Sequence, residues 1–501
     1  MNNVGTNGNY WSSSPNPGNA DNAYNLNFNS GEVNVNNNNR NNGYVAGSRT
    51  GGAQWFRQPR KLTEKVIERQ QLHTASMHIT HEQLLADVFQ AYYDARRHKR
   101  NTASQLRFEM NLEANLVALT EAIETGSYKP GRSVCFIVTK PVKREVFAAD
   151  FRDRVVHHLL YNYLSPMFER TFIEDCYSCR KGKGTLYGIR RTLHHMRSCS
   201  HNFTRKAYIL KIDIRGYFMS IDRRQLLGIL NATLDRYAQR RCDAEGRHWV
   251  ECIDYDMVKR LMAVIVMNDP TVGCLVKGNR HEWDDLPKDK SLFTAREGCG
   301  LPIGNLTSQL FSNVYLTRFD HWMKRRCRQR WYGRYVDDMM VVGRSRRTLA
   351  WLIRDVERFL HVSYGLVLHP HKRILQPVTY GINVLGMHLR RGVLLPGRRV
   401  AHNMRMAVND YLVDALRHPF LTIIRHDRAR LNSYLGMIWH SASLRLRLRV
   451  CHALFHSEPA LLLVCGNMKK VSDNPSYRLA DFMDNAADNR VHETFYHRKA
   501  G

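Results

Sequence analysis

The feature that most constrains the fold is the stretch RYVDDMMVV at residues 334–342, where two acidic residues stand inside a largely apolar segment. Its pattern is typical of two strands joined by a short turn. A two-residue turn would bring Asp337 and Asp338 to the tip of a β-hairpin. Since aspartate tolerates turn backbone angles, an isolated pair is more often only a turn. A catalytic interpretation therefore needs a further acidic residue.

The further acid lies in AYILKIDIRGYFMSID, residues 207–222. Apolar residues run up to Asp213, which predicts an acid at the end of a buried strand. If that strand lies beside the hairpin, Asp213 and Asp337 can bridge a pair of Mg²⁺ ions, which prefer hard oxygen ligands. Two such ions about 3.5–4 Å apart suit in-line phosphoryl transfer. The two stretches together favour catalysis over turn formation alone.

The net charge of the chain indicates which class of partner it binds. A formal net charge of +30 over 501 residues implies a polyanion, because each phosphate contact releases counterions. An anionic membrane would also attract such a chain, but no apolar run approaches the roughly 18–20 residues that span a bilayer, and we predict no membrane partner. The first thirty residues lack the pattern of a secretion signal.

The cysteines point to the compartment. Eleven scattered cysteines indicate reduced thiols in a cytosol-like environment. Cys176 and Cys179 have CxxC spacing, but no second Cys/His pair stands at zinc-finger distance, so we interpret them as buried thiols.

Composition and periodicity divide the chain into segments. Asn, Gly and Ser dominate the start, helical periodicity begins near residue 81, and short β-rich runs separated by helices follow from residue 206. The predicted segments are 1–50 (Asn-rich and poorly ordered), 51–80 (linker), 81–395 (helices and short strands), 396–457 (basic and helical) and 458–501 (tail).

These stretches resemble the catalytic motifs of reverse transcriptases of the group II intron and retron-like superfamily. RYVDD is similar to their Tyr-x-Asp-Asp box, and LKIDIRGYFMSID is similar to their first catalytic motif. The resemblance implies an α+β fold, a right-hand polymerase in which residues 81–395 form the fingers and a palm with an antiparallel sheet, and residues 396–457 form a helical thumb. It also implies an RNA-directed DNA polymerase that uses two Mg²⁺ ions, with Mn²⁺ as an alternative. Further matching stretches are VKREVFAADFRDRVVHH, CRKGKGTLYGIRR, GLPIGNLTSQLFSNVYL, GLVLHPHKR and NVLGMHL.

The resemblance assigns the catalytic residues. Asp213 and Asp337 would be the main metal ligands, Asp338 would support them, and Ile214 is included in the metal-binding set. Lys372 matches the lysine considered a proton donor to pyrophosphate, although a lysine that only faces a phosphate would look the same.

The resemblance also assigns a dNTP pocket. Phe218, five positions after Asp213, matches the steric gate that excludes a ribose 2′-hydroxyl; a core aromatic is the alternative. Lysine and arginine side chains in the fingers would bind the triphosphate of the incoming nucleotide. The alternative is that each is only a solvated surface charge. The remaining predicted dNTP-binding residues are Lys143, Arg144, Arg152, Ile303 and Gly304.

The stretch LPIGNLTSQ, residues 301–309, discriminates among these enzymes. Most relatives have Pro-Gln-Gly followed by Ser-Pro, whereas Ile303 here stands in the Gln place and Gln309 in the Pro place. The pattern formed by Ile303, Gly304, Ser308 and Gln309 is the mark of reverse transcriptases from diversity-generating retroelements. The subfamily implies errors at template adenines.

The exchange of Gln for Ile303 has a physical consequence. An alkyl side chain can pack against the nascent pair but cannot hydrogen-bond to it. A good contact of that kind is worth about 1–3 kcal/mol, so its loss would lower fidelity about ten- to a hundredfold. Filling a gap in the core is the alternative role for Ile303.

Two basic stretches are predicted to bind nucleic acid. SLRLRLRV, residues 443–450, alternates with period two, which by itself favours a strand. The family has helices at this place, which bind the phosphates of the template–primer duplex. We therefore predict a helix here. The predicted nucleic-acid-binding residues are Arg180, Lys181, Lys183, Arg445, Arg447 and Arg449.

The N-terminal segment alternates apolar residues with asparagine in NAYNLNFNSGEVNVNNN, residues 22–38. The alternation and the Ser30-Gly31 turn signal form a β-hairpin pattern; a disordered polar tract is the alternative. The stretch resembles the variable end of the lectin-like or formylglycine-enzyme-like proteins that these retroelements diversify. Randomising the two adenines of an Asn codon yields many amino acids and never a stop codon. We hypothesise that residues 1 to about 44 are the template repeat translated in frame.

The predicted function is error-prone, adenine-mutagenised cDNA synthesis that diversifies a target gene by mutagenic retrohoming. The implied partners are template-repeat RNA, the RNA–cDNA duplex, dNTPs and an oligomeric basic accessory variability protein. The expected location is the cytoplasm, with a bacterial, archaeal or phage gene. Alternatives are a retron or abortive-infection type defence enzyme, a non-catalytic RNA scaffold, and an N-terminal display module. The intact aspartates disfavour the scaffold, and the LPIGNLTSQ stretch disfavours the defence enzyme.

Overall fold

The computed structural model describes residues 77–97, 102–139, 142–417, 421–457, 462–465 and 470–473. The predictions for segment 1–50, for most of the linker and for most of the tail lie outside these residues. No helix in these ranges combines the length and apolar character needed to cross a bilayer.

Helices and strands alternate along the described chain, so the expected mixture of helix and sheet is confirmed. The helices are α1 (His81–Arg96), α2 (Ala103–Glu109), α3 (Leu112–Glu124), α4 (Phe151–Glu169), α5 (Thr185–Cys199), α6 (Tyr217–Ser220), α7 (Arg223–Ala238), α8 (Trp249–Cys252), α9 (Tyr255–Met267), α10 (Leu306–Tyr315), α11 (Thr317–His321), α12 (Arg346–Tyr364), α13 (Arg398–Arg417), α14 (Leu421–Trp439) and α15 (Leu444–Ser457). The strands are β1 (Val134–Val138), β2 (Arg144–Ala148), β3 (Tyr208–Ile212), β4 (Leu275–Val276), β5 (Tyr332–Tyr335), β6 (Asp338–Gly343), β7 (Ile374–Pro377), β8 (Ile382–Val384), β9 (Met387–Arg390), β10 (Val393–Pro396), β11 (Leu462–Cys465) and β12 (Lys470–Asp473).

The first helix shows how local sequence sets its bounds. The Thr80 side chain accepts a hydrogen bond from the Gln83 N–H and caps α1. The apolar residues Leu84, Val88 and Tyr92 recur at helical spacing and are buried, as their periodicity predicts. They pack in the main hydrophobic core together with residues of α4.

A four-stranded antiparallel sheet in the order β5-β6-β3-β7 carries both aspartate stretches. Side chains alternate between its two faces. Leu210 and Ile212 of β3 face the main core, whereas Ile209 faces a second core that includes Ile189 and Met196 of α5. Because both faces are covered, the strand is apolar nearly throughout, and an acid can be accommodated only where the strand ends.

Two smaller sheets flank the central one. Strands β2-β1-β4 form the first, in which β1 pairs antiparallel with β2 and parallel with β4. Strands β10-β9-β8 form an antiparallel sheet whose apolar residues join the α5 side of the core.

The last helical block has a hydrophobic core of its own, built from α13, α14 and α15. The alternating arginine stretch lies in α15, so the helix predicted there is confirmed. Val450 and Leu454 share one buried face, while Leu444 and Leu448 are exposed. Packing of that single face, rather than the period-two pattern, therefore decides the local structure.

Candidate active site

The turn between β5 and β6 presents the acidic pair. Tyr335 pairs with Asp338 across the hairpin, so Val336 and Asp337 form the two-residue turn. Asp337 thus lies at the tip, and Asp338 begins β6. Val336 has a φ of +56°, a strained backbone for a β-branched residue. The surrounding structure must hold this conformation in place.

Buried polar groups hold the strained turn. The Val336 N–H donates to Ser178 Oγ at 3.1 Å, and Arg334 Nη1 donates to the Val336 carbonyl at 2.8 Å. Asn313 links the two supports: its Oδ1 accepts from Ser178 Oγ at 2.9 Å and from Arg334 Nη1 at 3.3 Å. Arg334 also forms an ion pair with Asp320. The two side chains that bond to Val336, Ser178 and Arg334, are therefore themselves held by other side chains: Ser178 by Asn313, and Arg334 by Asn313 and Asp320.

Asp213 lies beside this turn because β3 and β6 are antiparallel, with Ile212 opposite Met339. Its Oδ2 accepts a hydrogen bond from Lys372 Nζ at 2.7 Å. Its Oδ1 is buried and has no hydrogen-bond partner among the described residues. Asp338 forms an ion pair with Lys211, with Oδ1 and Nζ 3.2 Å apart. The structure thus brings Asp213, the hairpin tip and Lys372 together.

The carboxylates perturb one another. Burial raises the pKa of Asp337 to about 7, and the nearby Asp213 and Asp338 carboxylates add to the rise. Burial also raises the pKa of Asp338, against the opposing effect of Lys211. For Lys372, burial lowers the pKa, but the hydrogen bond with Asp213 and the neighbouring carboxylates outweigh it, and the net pKa is raised. The site therefore has excess negative charge.

A divalent cation fits this donor set. The aspartates offer hard oxygen ligands, and Asp213 Oδ1 is a buried oxygen that still lacks a donor. The Ile214 side chain is an alkyl group without a ligand atom, so only its backbone carbonyl could contribute to a metal site. Burial, and after it the neighbouring carboxylates, raises the Asp337 pKa, and a bound cation would offset both effects by stabilising the ionised form.

The predicted gate residue Phe218 and the predicted fidelity residue Ile303 pack close together. The Leu301 N–H donates to the Phe218 carbonyl at 2.9 Å, and the Phe147 N–H donates to the Ile303 carbonyl at 3.0 Å. The side chains of Phe218 and Ile303 pack against one cluster that includes Phe147 of β2 and Met219. Loop 301–305 is thus seated between α6 and β2.

Gly304 allows this close seating. Its φ is +127°, and a Cβ at this position would lie 3.0 Å from the Phe147 carbonyl oxygen and 3.0 Å from Val146 Cγ1. Asn305, the next residue, accepts from the Ala149 N–H at 3.3 Å. Glycine is therefore required by both backbone conformation and space.

Helix α10 continues from the loop and carries the rest of the fidelity motif. Ser308 is buried and Gln309 is partly buried. Thr307 directly precedes Ser308 in α10, and its Oγ1 lies 2.7 Å from Nδ1 of His157 in α4. Burial lowers the pKa of His157 to about 3, so the ring is neutral. His157 is a positioning residue that we did not predict, although it lies within the RDRVVHH stretch that carries the resemblance.

The predicted triphosphate-binding cations stand near β2 and α4. Lys143 Nζ lies 3.9 Å from Asp285 Oδ2, and Arg144 begins β2 with an exposed side chain. Arg152 Nη1 donates to the Lys129 carbonyl at 3.2 Å, and its guanidinium lies 5.0 Å from the Tyr128 ring centroid. Their dNTP-binding role stays a prediction.

The predicted nucleic-acid-binding cations differ in exposure. The Arg180 side chain is 8% exposed and donates to Glu169 Oε2 at 2.7 Å and to the Ile173 carbonyl. Lys183 donates to the Glu174 carbonyl. Those two cations thus have internal partners. Lys181, Arg445 and Arg449 are exposed, and Arg447 lies over the Trp439 ring at 4.6 Å.

A buried carboxylate that we did not predict anchors the segment between α9 and α10. Glu145 of β2 has no solvent exposure and accepts from Trp283 Nε1 at 2.8 Å, Ser291 Oγ at 2.7 Å and the Leu292 N–H at 2.6 Å. Nothing in the sequence marks it, because a glutamate beside Lys143 and Arg144 reads as a surface charge.

A separate group of possible metal ligands consists of Cys242, Asp243 and Cys252, whose ligand atoms all lie within 4.8 Å of one another. Asp243 already forms an ion pair with Arg247. This group lies outside the aspartate site. Cys176 is buried and Cys179 is partly buried, consistent with the interpretation of both as thiols.

Comparisons with known proteins give distant similarities. No family model matches the chain. Protein YkfC of Escherichia coli (strain K12) is 22% identical over 320 residues, covering 56% of this chain and 73% of YkfC. Among solved structures, apo telomerase from Candida tropicalis truncated from its C-terminal domain has a TM-score of 0.37 and 10% identity, covering 56% of this chain and 60% of that chain.

A telomerase from Candida albicans, in complex with a TWJ fragment of telomeric RNA, has a TM-score of 0.34 and 10% identity, covering 69% of this chain and 65% of that chain. The chain thus spans less than two thirds of the length of these telomerase chains. Similarities this distant do not assign a function to the chain.

Proposed function

We propose that this protein is an RNA-directed DNA polymerase of the kind encoded by diversity-generating retroelements, making adenine-mutagenised cDNA from a template-repeat RNA. The observation that carries the proposal is the meeting of Asp213, at the end of β3, with Asp337 at the β5–β6 turn. Three aspartates in one desolvated place are costly for a scaffold, and they are useful where cations and phosphates are handled.

In this proposal the central sheet is the palm, strands β1, β2 and β4 belong to the fingers, and α13–α15 form the thumb. Asp213 and Asp337 would hold Mg²⁺, with Asp338 and the Ile214 carbonyl in support. When bound, the ions supply Lewis-acid stabilisation of the phosphoryl charge and activate the attacking hydroxyl. The protein groups then orient the substrates and move protons.

Two of those groups act on the incoming nucleotide. Lys372, held by Asp213 at 2.7 Å, would carry a proton on Nζ beside the departing pyrophosphate. Phe218 would present its ring against the sugar and exclude a 2′-hydroxyl.

The retroelement assignment rests on the Ile303–Gln309 motif. The Ile303 carbonyl accepts a hydrogen bond from the Phe147 N–H, so the backbone places the loop, and the part of the Ile303 side chain that does not pack against the Phe147 cluster would face the substrate. Such a side chain restrains pairing by packing alone, which supports a low-fidelity enzyme. Basic accessory protein, template RNA and retrohoming into a target gene belong to the same proposal.

The test is deep sequencing of cDNA made by the purified chain with its accessory protein, Mg²⁺ and dNTPs, on an RNA encoding residues 10–44. Asp337→Asn should abolish the product, and Asp285→Asn, a change at a 94% exposed side chain, should not. Errors concentrated at template adenines would support the retroelement function. Errors spread evenly over the four bases would overturn it while leaving the polymerase, and no cDNA from the unaltered chain would overturn both.

A further inference from the structure

The surface at the far end of the catalytic hairpin is unusually basic. No acidic residue occurs between Asp320 and Asp337, or between Asp338 and Asp355, whereas these two stretches contain ten Lys and Arg residues. Two of them are used internally: Arg334 is buried against Asp320, and Lys324 pairs with Asp175 at 2.8 Å. The other eight are exposed arginines.

The hairpin brings part of this charge around a tryptophan. The Val342 N–H donates to the Trp331 carbonyl at 3.0 Å, so Trp331 lies at the end of the hairpin opposite the catalytic turn. Arg330 and Arg344 both lie over its ring, with guanidinium carbons 5.8 Å and 5.9 Å from the centroid. The Trp331 indole thus lies near two cations.

Helix α12 extends the surface. Arg347, Trp351 and Arg354 follow at helical spacing on one exposed face, and Arg354 lies 4.9 Å from the centroid of the Trp351 ring. The Trp351 side chain is 54% exposed. Stacking of Trp322 on Phe359 at 4.5 Å holds the arginine-rich bend 325–328 against the same helix. We call Arg330, Trp331, Arg344, Arg347, Trp351 and Arg354 the Arg/Trp surface.

The arginines of the Arg/Trp surface lack acidic partners. Among the described residues, Arg330, Arg344, Arg347 and Arg354 form no ion pair with a carboxylate. The exposed Trp351 indole, the partly buried Trp331 indole and the guanidinium groups around them together match a ligand that has both phosphates and accessible aromatic faces. Unpaired nucleotides have both, whereas in a duplex the faces of the bases are stacked on each other.

We propose that the Arg/Trp surface binds an unpaired segment of the template RNA. This inference rests on the proposed function, which supplies a long RNA, and it adds a contact separate from the predicted Arg180–Lys183 and α15 stretches. Strand β6 runs from Asp338 to Gly343, so the surface begins about 17 Å from the catalytic turn. RNA leaving the site along the hairpin would meet Trp331 within a few nucleotides.

The experiment measures binding by fluorescence anisotropy, with labelled single-stranded oligouridine and a labelled RNA duplex of equal charge. Trp351→Ala should weaken oligouridine binding about tenfold and leave duplex binding unchanged. Arg347→Glu/Arg354→Glu should weaken it about tenfold and reduce the salt slope by about 1.4, for two lost phosphate contacts on a single strand. The matched control, Arg224→Glu/Arg236→Glu, changes two exposed arginines of α7 and should have little effect.

Three outcomes would overturn the proposal: equal weakening by the control pair, an unchanged affinity in Trp351→Ala, or equally tight competition by polyglutamate, which would indicate an acidic protein partner. Two variants distinguish failure of this proposal from failure of the polymerase proposal. Asp337→Asn should bind oligouridine normally, and Arg347→Glu/Arg354→Glu should still extend a short annealed primer. Loss of oligouridine binding in the arginine variant would therefore support the surface even if the unaltered chain made no cDNA.

Discussion

Arg334 and Asp320 form an ion pair in which Nη2 and Oδ2 are 2.6 Å apart and neither side chain is exposed. The Tyr332 hydroxyl donates to the same carboxylate at 2.6 Å, and Arg334 also donates to the Val336 carbonyl. A buried charge pair beside the β5–β6 turn thus supports the backbone of that turn. Since Asp337 follows Val336, the position of the proposed metal-binding carboxylate depends on this pair.

Removing one partner should destabilise the fold strongly. Asp320→Asn leaves the Arg334 charge buried without its counterion, and we expect a loss of about 3–5 kcal/mol in the free energy of unfolding. Urea denaturation followed by tryptophan fluorescence measures it. The control is Asp235→Asn, which breaks an exposed pair with Lys259 and should cost about 0–1 kcal/mol. Equal losses in the two variants would show that the buried pair has no special role.

Lys372 can be tested for proton transfer against simple charge. Lys372→Gln should lower kcat for nucleotide addition about a hundredfold. Lys372→Arg keeps the charge near Asp213 but cannot release a proton. If Lys372 is the proton donor, rapid-quench kinetics should show both variants equally slow. Near-normal kcat in Lys372→Arg would assign the residue to charge alone.

Ile303→Gln should raise fidelity. The backbone contact of residue 303 with Phe147 does not depend on its side chain, so the loop should keep its place. The restored amide can hydrogen-bond near the nascent pair, and we expect misincorporation opposite template adenine to fall about tenfold or more. Single-nucleotide misincorporation assays measure it, with Ile303→Val as the control. A rate unchanged by Gln would confine Ile303 to packing.

Gly304→Ala should distort the same loop. The φ of +127° disfavours any side chain, and the new Cβ would press on the Phe147 carbonyl and Val146. We expect a loss of about 1–3 kcal/mol in stability, together with a raised KM for dNTP. Gly228→Ala in α7, where a Cβ meets nothing within 4 Å, is the matched control. A thermal melt in which the two variants behave alike would contradict the prediction.

His157 makes stability depend on pH. Its pKa falls from 6.5 in the unfolded chain to about 3 in the buried site. Above pH 6.5 both states are neutral and His157 contributes nothing; below it only the unfolded chain takes up the proton. The free energy of unfolding should therefore fall by about 1.4 kcal/mol per pH unit from about pH 6 towards pH 3.

His157→Gln removes that proton uptake, so its unfolding free energy should fall less steeply across the same pH range. Urea titrations of both proteins at several pH values measure the difference in slope. Parallel pH profiles would show that His157 is not kept neutral by burial.

The sequence by itself determined the local placement of the acidic residues. Asp213 at the end of an apolar strand and Asp337 in a two-residue turn could be read from local patterns, because period-two alternation and turn residues depend on near neighbours along the chain. The same holds for α1, whose cap and apolar face lie within a few residues.

Only the tertiary structure decided what supports those acids. The partners of Arg334 lie at positions 313 and 320, that of the Val336 N–H at 178, that of Thr307 at 157, and those of Glu145 at 283 and 291. These partners come from other segments of the chain, and no local pattern records which polar residues become buried together. Helix α15 makes the same point: its residues alternate as in a strand, yet burial of Val450 and Leu454 on one face makes a helix the better packed state.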